Sequence, residues 1–269
     1  MQRLTASLLL LALFASSARG TDQDDDWLWS RSNPTWQQRR SRGALDVSSL
    51  QVARVAQTAV QYFNYLQGSP SSLRELGHVK KASVKTIPGV GRKYFLQFVT
   101  KDVQTRQNLG TCLATVLYQK QNPKPQVEMS CVKSKDTDQR LQDDHSLYLS
   151  IRNDNEPSAS YLRLLASLGS NYIAWEKSTE GSAYTMSQVK DVKQWTSPDD
   201  ALEFDFTVQL DSDASESLFC QMRIVWQLGE PLKVKYDCSG DEQTSGSADG
   251  SGDDLEFTGW PFIDPENNF

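Results

Sequence analysis

The sequence predicts an α+β fold. It reads as two tandem units, each one helix packed on a four-stranded antiparallel sheet, joined by a connecting helix. Three observations predict it. A helical stripe followed by four strand-like segments occurs twice, matched residues recur at a nearly constant offset, and the four cysteines fall at equivalent places in the two copies. Tyr62 matches Tyr172, Tyr65 matches Trp175, and Val79-Lys80 matches Val189-Lys190, all at one offset. Phe98 with Phe206, Cys112 with Cys220 and Cys131 with Cys238 fall two or three residues short of it, the drift that small loop deletions produce. A short sheet has one face to bury, and a single helix laid across it covers much of that face.

Residues 1–20 read as a secretory signal peptide. Arg3 gives a positive start, Leu8 to Phe14 form a short apolar run, and Ala18 and Gly20 are small residues before a cut at Thr21. A membrane anchor through the same run is the alternative, but a spanning helix needs about 20 apolar residues. Residues 21–47 read as a disordered segment with Asp22, Asp24, Asp25 and Asp26 ahead of Trp27, Trp29 and Trp36. The Arg39–Arg42 run has the spacing that basic-site secretory proteases cut; it also reads as a solvated linker.

The first unit spans 48–135. Val52, Val55, Ala56, Ala59, Phe63 and Leu66 recur at helical steps, Ser48 or Ser49 can cap the start, and Gly68-Ser69-Pro70 stops the helix. Strand-like segments follow at 79–87, 93–99, 111–118 and 126–132, with Pro88 to Gly91 and Asn122-Pro123 in turns. Residues 136–157 hold a mostly polar connecting helix and a linker.

The second unit spans 158–238. Tyr161, Leu162, Leu165, Leu168, Tyr172 and Trp175 form its helical stripe, and strands follow at 183–195, 202–210, 218–227 and 232–238. Phe204, Phe206, Val208 and Leu210 alternate with Glu203, Asp205, Thr207 and Gln209, so one face is apolar and the other hydrated. Trp175, Trp195 and Trp226 fall on or near apolar faces and read as core. Residues 239–269 carry eight acids and no Lys, Arg or His among dense Gly and Ser, which reads as a disordered acidic tail.

The cysteines pair by pattern. Cys112 shares a face with Ala114, Val116 and Tyr118; Cys131 shares one with Val127 and Met129. Cys220 lines up with Met222, Ile224 and Trp226, and Cys238 with Val234 and Tyr236, about a turn at Gly229. Hairpins folded at those turns predict Cys112–Cys131 and Cys220–Cys238, each closing a loop of under ~20 residues worth ~3 kcal/mol in the chain-entropy model. A thiolate metal site is disfavoured, because there is no CxxC and His78 and His145 are the only histidines. No cofactor is implied.

Of the 269 residues, 38% are hydrophobic and 23% charged, and the formal net charge is -6. That balance fits packed cores and disfavours duplex nucleic acid as a partner. GVGRKYF around Gly89 and Gly91 lacks the full phosphate-loop fingerprint, and there is no GxSxG. Glu203 and Asp205 sit where solvated charges ordinarily sit, so no catalytic residue is assigned and the chain is not read as an enzyme.

The segments YFNYLQGSPSSL, VKKASVKTIPGVGRKYFLQF, GSNYIAWEKSTEGSAYTMSQVKDVKQW and PLKVKYDC together resemble the latexin family, from about residue 48 to 238. The leader, the cysteines and the terminal Asn268-Phe269 resemble its secreted branch of retinoic-acid-receptor responder proteins and ovocalyxins. The resemblance implies two cystatin-like units and inhibition of metallocarboxypeptidases by a hairpin loop of the second unit. Here that loop is Asp211, Ser212, Asp213, Ala214, Ser215, Glu216 and Ser217, with acids where the family pattern has His and Gln. No Q-x-V-x-G segment is present, so papain-type inhibition is not implied. The alternative is an extracellular matrix or mineral-associated protein, with the acidic tail supplying oxygen ligands to calcium.

Overall fold

The structure, a computed structural model, describes residues 43–131, 137–153, 157–196, 201–239 and 245–248. The leader, the Arg39–Arg42 run and most of the acidic tail lie outside the described residues. In chain order the elements are β1 (Gly43–Ala44), α1 (Leu50–Gln67), β2 (Arg74–Ile87), β3 (Gly91–Asp102), β4 (Asn108–Gln119) and β5 (Gln126–Cys131). They continue with α2 (Thr137–Asn153), α3 (Ala159–Lys177), β6 (Tyr184–Thr196), β7 (Leu202–Ser212), β8 (Ser217–Trp226), β9 (Lys233–Ser239) and β10 (Ser245–Ala248). Two antiparallel sheets result, ordered β1-β2-β3-β4-β5 and β10-β9-β8-β7-β6.

Each sheet therefore has five strands rather than the four expected. The additional strands come from segments read as disordered: Gly43 and Ala44 pair with Val84 and Ser83 of β2, and Ser245 to Ala248 pair with Asp237 to Val234 of β9. Strands this short, built of Gly, Ser and Ala, carry no alternation to betray them. In β2 the ladder shifts between Leu76 and His78 and again between Val79 and Lys81. These bulges break the period-2 pattern and hide the strand's first residues. β6 shifts between Met186 and Gln188, the counterpart of the first β2 bulge in the repeat, and between Lys190 and Lys193. The repeat thus extends to an irregularity of the backbone.

The helices form where capping and periodicity coincide. Ser49 accepts from the Val52 amide at 3.3 Å and starts α1; the Gly68 amide donates to the Asn64 carbonyl at 2.9 Å and ends it. Ser158 caps α3 in the same way. α1 buries Val52, Val55, Ala56 and Ala59 against Tyr94, Leu96 and Phe98 of β3, and α3 buries Leu165, Leu168 and Ile173 against Phe204, Phe206, Met222 and Ile224. At Gly169 a Cβ would lie 2.7 Å from Met222 Sδ and 2.8 Å from Ile224 Cγ2, so glycine lets α3 approach β8. The polar α2 docks through Ile151 and Tyr148, whose ring meets Trp226 edge-on at 5.8 Å.

The two units share one core. α1 and α3 meet through aromatic residues that are counterparts in the repeat. Tyr62 contacts Trp175 at 4.9 Å, Tyr65 contacts Tyr172 at 4.7 Å, and Tyr65 stacks on Trp175 at 6.0 Å. Residue i of one copy thus meets residue j of the other and the reverse, the pattern of a two-fold interface built within one chain. Trp175 Nε1 also donates to the Pro125 carbonyl at 3.0 Å. The cysteines face each other across the hairpins, Cys112 bonded to Cys131 and Cys220 to Cys238, with sequence separations of 19 and 18.

Candidate functional site: the β7–β8 hairpin tip

The tip joins two long strands, and its own hydrogen bonds fix its shape. The Ser212 hydroxyl accepts from the Ala214 amide at 3.1 Å and the Glu216 amide at 3.2 Å. The Ser212 amide donates to the Glu216 carbonyl at 2.7 Å, and Ser215 takes a left-handed φ of 66° to close the turn. Asp213, Ala214, Ser215, Glu216 and Ser217 are exposed, while Ser212 is buried. A preorganised tip loses little entropy when it binds.

None of the three carboxylates stands alone. Asp211 accepts from Gln209 Nε2 and Ser217 Oγ, each at 2.8 Å, and these bonds hold its carboxyl below the ordinary range. Glu216 accepts from the Tyr184 hydroxyl at 2.8 Å. Asp213 accepts from Arg54 Nε on α1 and, at 3.3 Å, from the Ala183 amide. The sequence reading brought together the acids of the tip but missed Arg54, Ala183 and Tyr184, which hold them.

A second set of polar contacts joins the units nearby. Glu180, between α3 and β6, accepts from the Tyr94 hydroxyl, from Arg92 Nη1 and, at 3.1 Å, from Gln51 Nε2. Burial, then the bond to Glu180 and its charge, push the Tyr94 hydroxyl well above its ordinary range. Gln61 Nε2 donates to the Tyr184 carbonyl across the same boundary.

Other residues singled out from the sequence fall as follows. Trp175 and Trp226 are buried, but Trp195 is 47% exposed, which corrects its assignment to the core. The shift between Lys190 and Lys193, with Asp191 at a φ of 48°, turns Trp195 outward. There its ring lies over Arg223 at 5.4 Å and its Nε1 donates to Asp205 at 2.8 Å. Arg223 in turn makes two bonds to Asp205, at 2.6 and 2.9 Å. Burial raises the Asp205 carboxyl, but the bonds from Arg223 and Trp195 outweigh it and leave the group below its ordinary value. Among the described residues no group of three or more His, Cys, Asp or Glu could hold a metal ion, and no helix is long and apolar enough to cross a membrane. A cavity of about 50 Å³ near Arg74 and Asp102 is far smaller than a pocket for a small organic ligand.

Helices locked on a shared aromatic core, a disulfide in each unit and a hairpin tip fixed by side chains from α1, β6, β7 and β8 define a loop-presenting scaffold. The latexin family model matches residues 45–244, and the chain belongs to the latexin family. It is 36% identical to ovocalyxin-32 of Gallus gallus over 241 residues, covering 84% of this chain and 86% of that protein. It is 33% identical to human retinoic acid receptor responder protein 1, covering 74% and 76%, and 30% identical to human latexin, covering 68% and 90%. These relatives place it in the ovocalyxin and responder branch. A structural likeness to mouse fetuin-B, at a TM-score of 0.26 and 14% identity over 76% of this chain and 71% of that one, carries no argument.

Proposed function

We propose that the chain is a secreted, non-enzymatic inhibitor of metallocarboxypeptidases, acting through the tip from Asp211 to Ser217. Membership of the latexin family is the observation that carries this reading. The order of strand, helix and four strands in residues 43–131 supports reading the first unit, 48–135, as cystatin-like, and the internal repeat of a helix and four strands extends that reading to the second, 158–238. Two disulfides suit an oxidising compartment and agree with the leader read in residues 1–20.

The tip suits the task because a pinned hairpin end can enter a funnel that a flat sheet cannot. Its acids leave it negative even with Asp213 paired to Arg54, and a carboxypeptidase funnel is cationic, since it receives a substrate carboxylate beside zinc. Association is then favoured at low salt and weakened as salt screens it. The test is titration of the purified protein against a panel of metallocarboxypeptidases at low and high salt. Asp211, Asp213 and Glu216 replaced together by Ser are expected to weaken inhibition, most at low salt. An inhibition constant unchanged in both conditions removes this tip from the mechanism. Failure of the unmutated protein to inhibit any member of the panel moves the reading to a matrix- or mineral-associated protein, which rests on the acidic tail.

A further inference from the structure

The tip belongs by sequence to the second unit, yet one of its anchors is on the first. Arg54 lies on α1, one turn before Thr58, whose hydroxyl donates to the Arg54 carbonyl at 3.0 Å. The Arg54 side chain is 19% exposed and that of Asp213 is 29% exposed, so water reaches the pair but does not surround it. Asp213 uses its other oxygen on the Ala183 amide at 3.3 Å, and its own amide donates to the Ala183 carbonyl at 3.4 Å. One carboxylate thus joins the tip, the α3–β6 connection and α1.

We propose that Arg54 is a positioning residue that clamps the hairpin tip, so that the conformation of a second-unit loop is set by the first unit. The clamp can act because what lies behind it is rigid. α1 cannot slide on α3 while Tyr62 and Tyr65 are packed against Tyr172 and Trp175. Glu180, held by Tyr94, Arg92 and Gln51, fixes the same connection that meets Asp213. Release of Arg54 leaves the Asp213 carboxylate with the Ala183 amide, the Asp213 amide with the Ala183 carbonyl, and the tip with its internal bonds through Ser212. The inhibitory role of the tip rests on the proposed function; the clamp itself does not.

The experiment measures amide hydrogen exchange and carboxypeptidase inhibition on the full chain for Arg54→Met, Arg54→Lys, Asp213→Asn and the Arg54→Met/Asp213→Asn double variant. The Ala214 and Glu216 amides are expected to exchange about tenfold faster in Arg54→Met, the size of one charge-assisted hydrogen bond at a partly exposed site. Val208 and Cys220 amides, deep in the second sheet, are expected to be unchanged. Arg54→Lys restores part of the protection, and the double variant is no worse than the worse single, because the two residues act through each other. Unchanged exchange at Ala214 and Glu216 overturns the clamp, as does an increase that extends equally to Val208 and Cys220. If exchange at the tip rises while Arg54→Met inhibits as well as the unmutated protein, positioning plays no part in recognition. If no form inhibits, the exchange result still decides the clamp, and the functional reading fails alone.

Discussion

Trp175→Ala tests the idea that the two units are one folding body joined through α1 and α3. Trp175 is 8% exposed and touches Tyr62 at 4.9 Å, Tyr172 at 5.9 Å and Tyr65 at 6.0 Å. Lys124 Nζ lies 4.5 Å from its ring centre, and its Nε1 satisfies the Pro125 carbonyl. Truncating a buried tryptophan costs about 3–5 kcal/mol. Leaving a carbonyl without its donor adds about 1 kcal/mol or more. A loss near 5 kcal/mol is therefore expected, a large part of the roughly 5–15 kcal/mol that stabilises a typical domain. Trp195→Ala is the control, since half of that ring is already in water; it is expected to cost within about 1 kcal/mol. The assay is urea unfolding followed by circular dichroism with both disulfides intact. The unmutated protein is expected to give one transition, and Trp175→Ala an earlier one with a lower slope if the units come apart separately. A loss under about 2 kcal/mol, or one no larger than that of Trp195→Ala, refutes the shared core as the source of coupling.

Non-reducing peptide mapping should recover Cys112 linked to Cys131 and Cys220 linked to Cys238, and replacing either pair by Ala should cost about 3 kcal/mol for loops of this length. Phe206→Asp should unfold the second unit, because it places an unpaired charge at a side chain only 2% exposed; equal damage from Asp205→Asn on the opposite face would contradict the strand's register. Asp205 has a folded-state pKa below its ordinary 3.8, so its contribution is present above that value and is lost as pH falls through the lower folded value. Asp205→Asn should therefore lower stability modestly at neutral pH and lose that difference as pH falls below about 4, which flattens the acid limb; an acid limb identical to that of the unmutated protein would place the acid sensitivity elsewhere.

The helices were legible because two local signals agree at each. α1 and α3 begin one residue after serine caps and carry their apolar residues at helical steps, and both signals survive without tertiary context. β7 was legible because its alternation is unbroken from Leu202 to Ser212. The start of β2 was lost, and the faces of β6 were misread though its bounds were not, because bulges shift the side-chain phase and a phase shift moves every later residue to the other face. Trp195 shows the consequence: its composition says core and its register says surface. β1 and β10 were invisible for a different reason, since a strand of two or four small residues is held by its neighbour's unpaired backbone and not by its own pattern.

The tip was legible as a position but not as a contact. Arg54 and Asp213 are separated by 159 residues, and nothing local to either names the other. The internal repeat supplies the missing logic. Where the copies pack on each other, counterparts meet counterparts, as with Tyr62, Tyr65, Tyr172 and Trp175. At the offset of the helices the counterpart of Arg54 is Leu164, and the Val103 amide bonds to the Leu73 carbonyl as the Asp213 amide bonds to the Ala183 carbonyl, so the counterpart of Asp213 is Val103. Leucine and valine cannot form an ion pair, so the clamp has no mirror image. Packing explains the symmetric contacts, because any two such helices must bury their aromatic faces. It does not explain an ion pair present on one side of the pseudo-two-fold and impossible on the other. That asymmetry falls at the hairpin tip for which an inhibitory role is proposed, where holding the loop in a single conformation would make binding stronger for the same contacts.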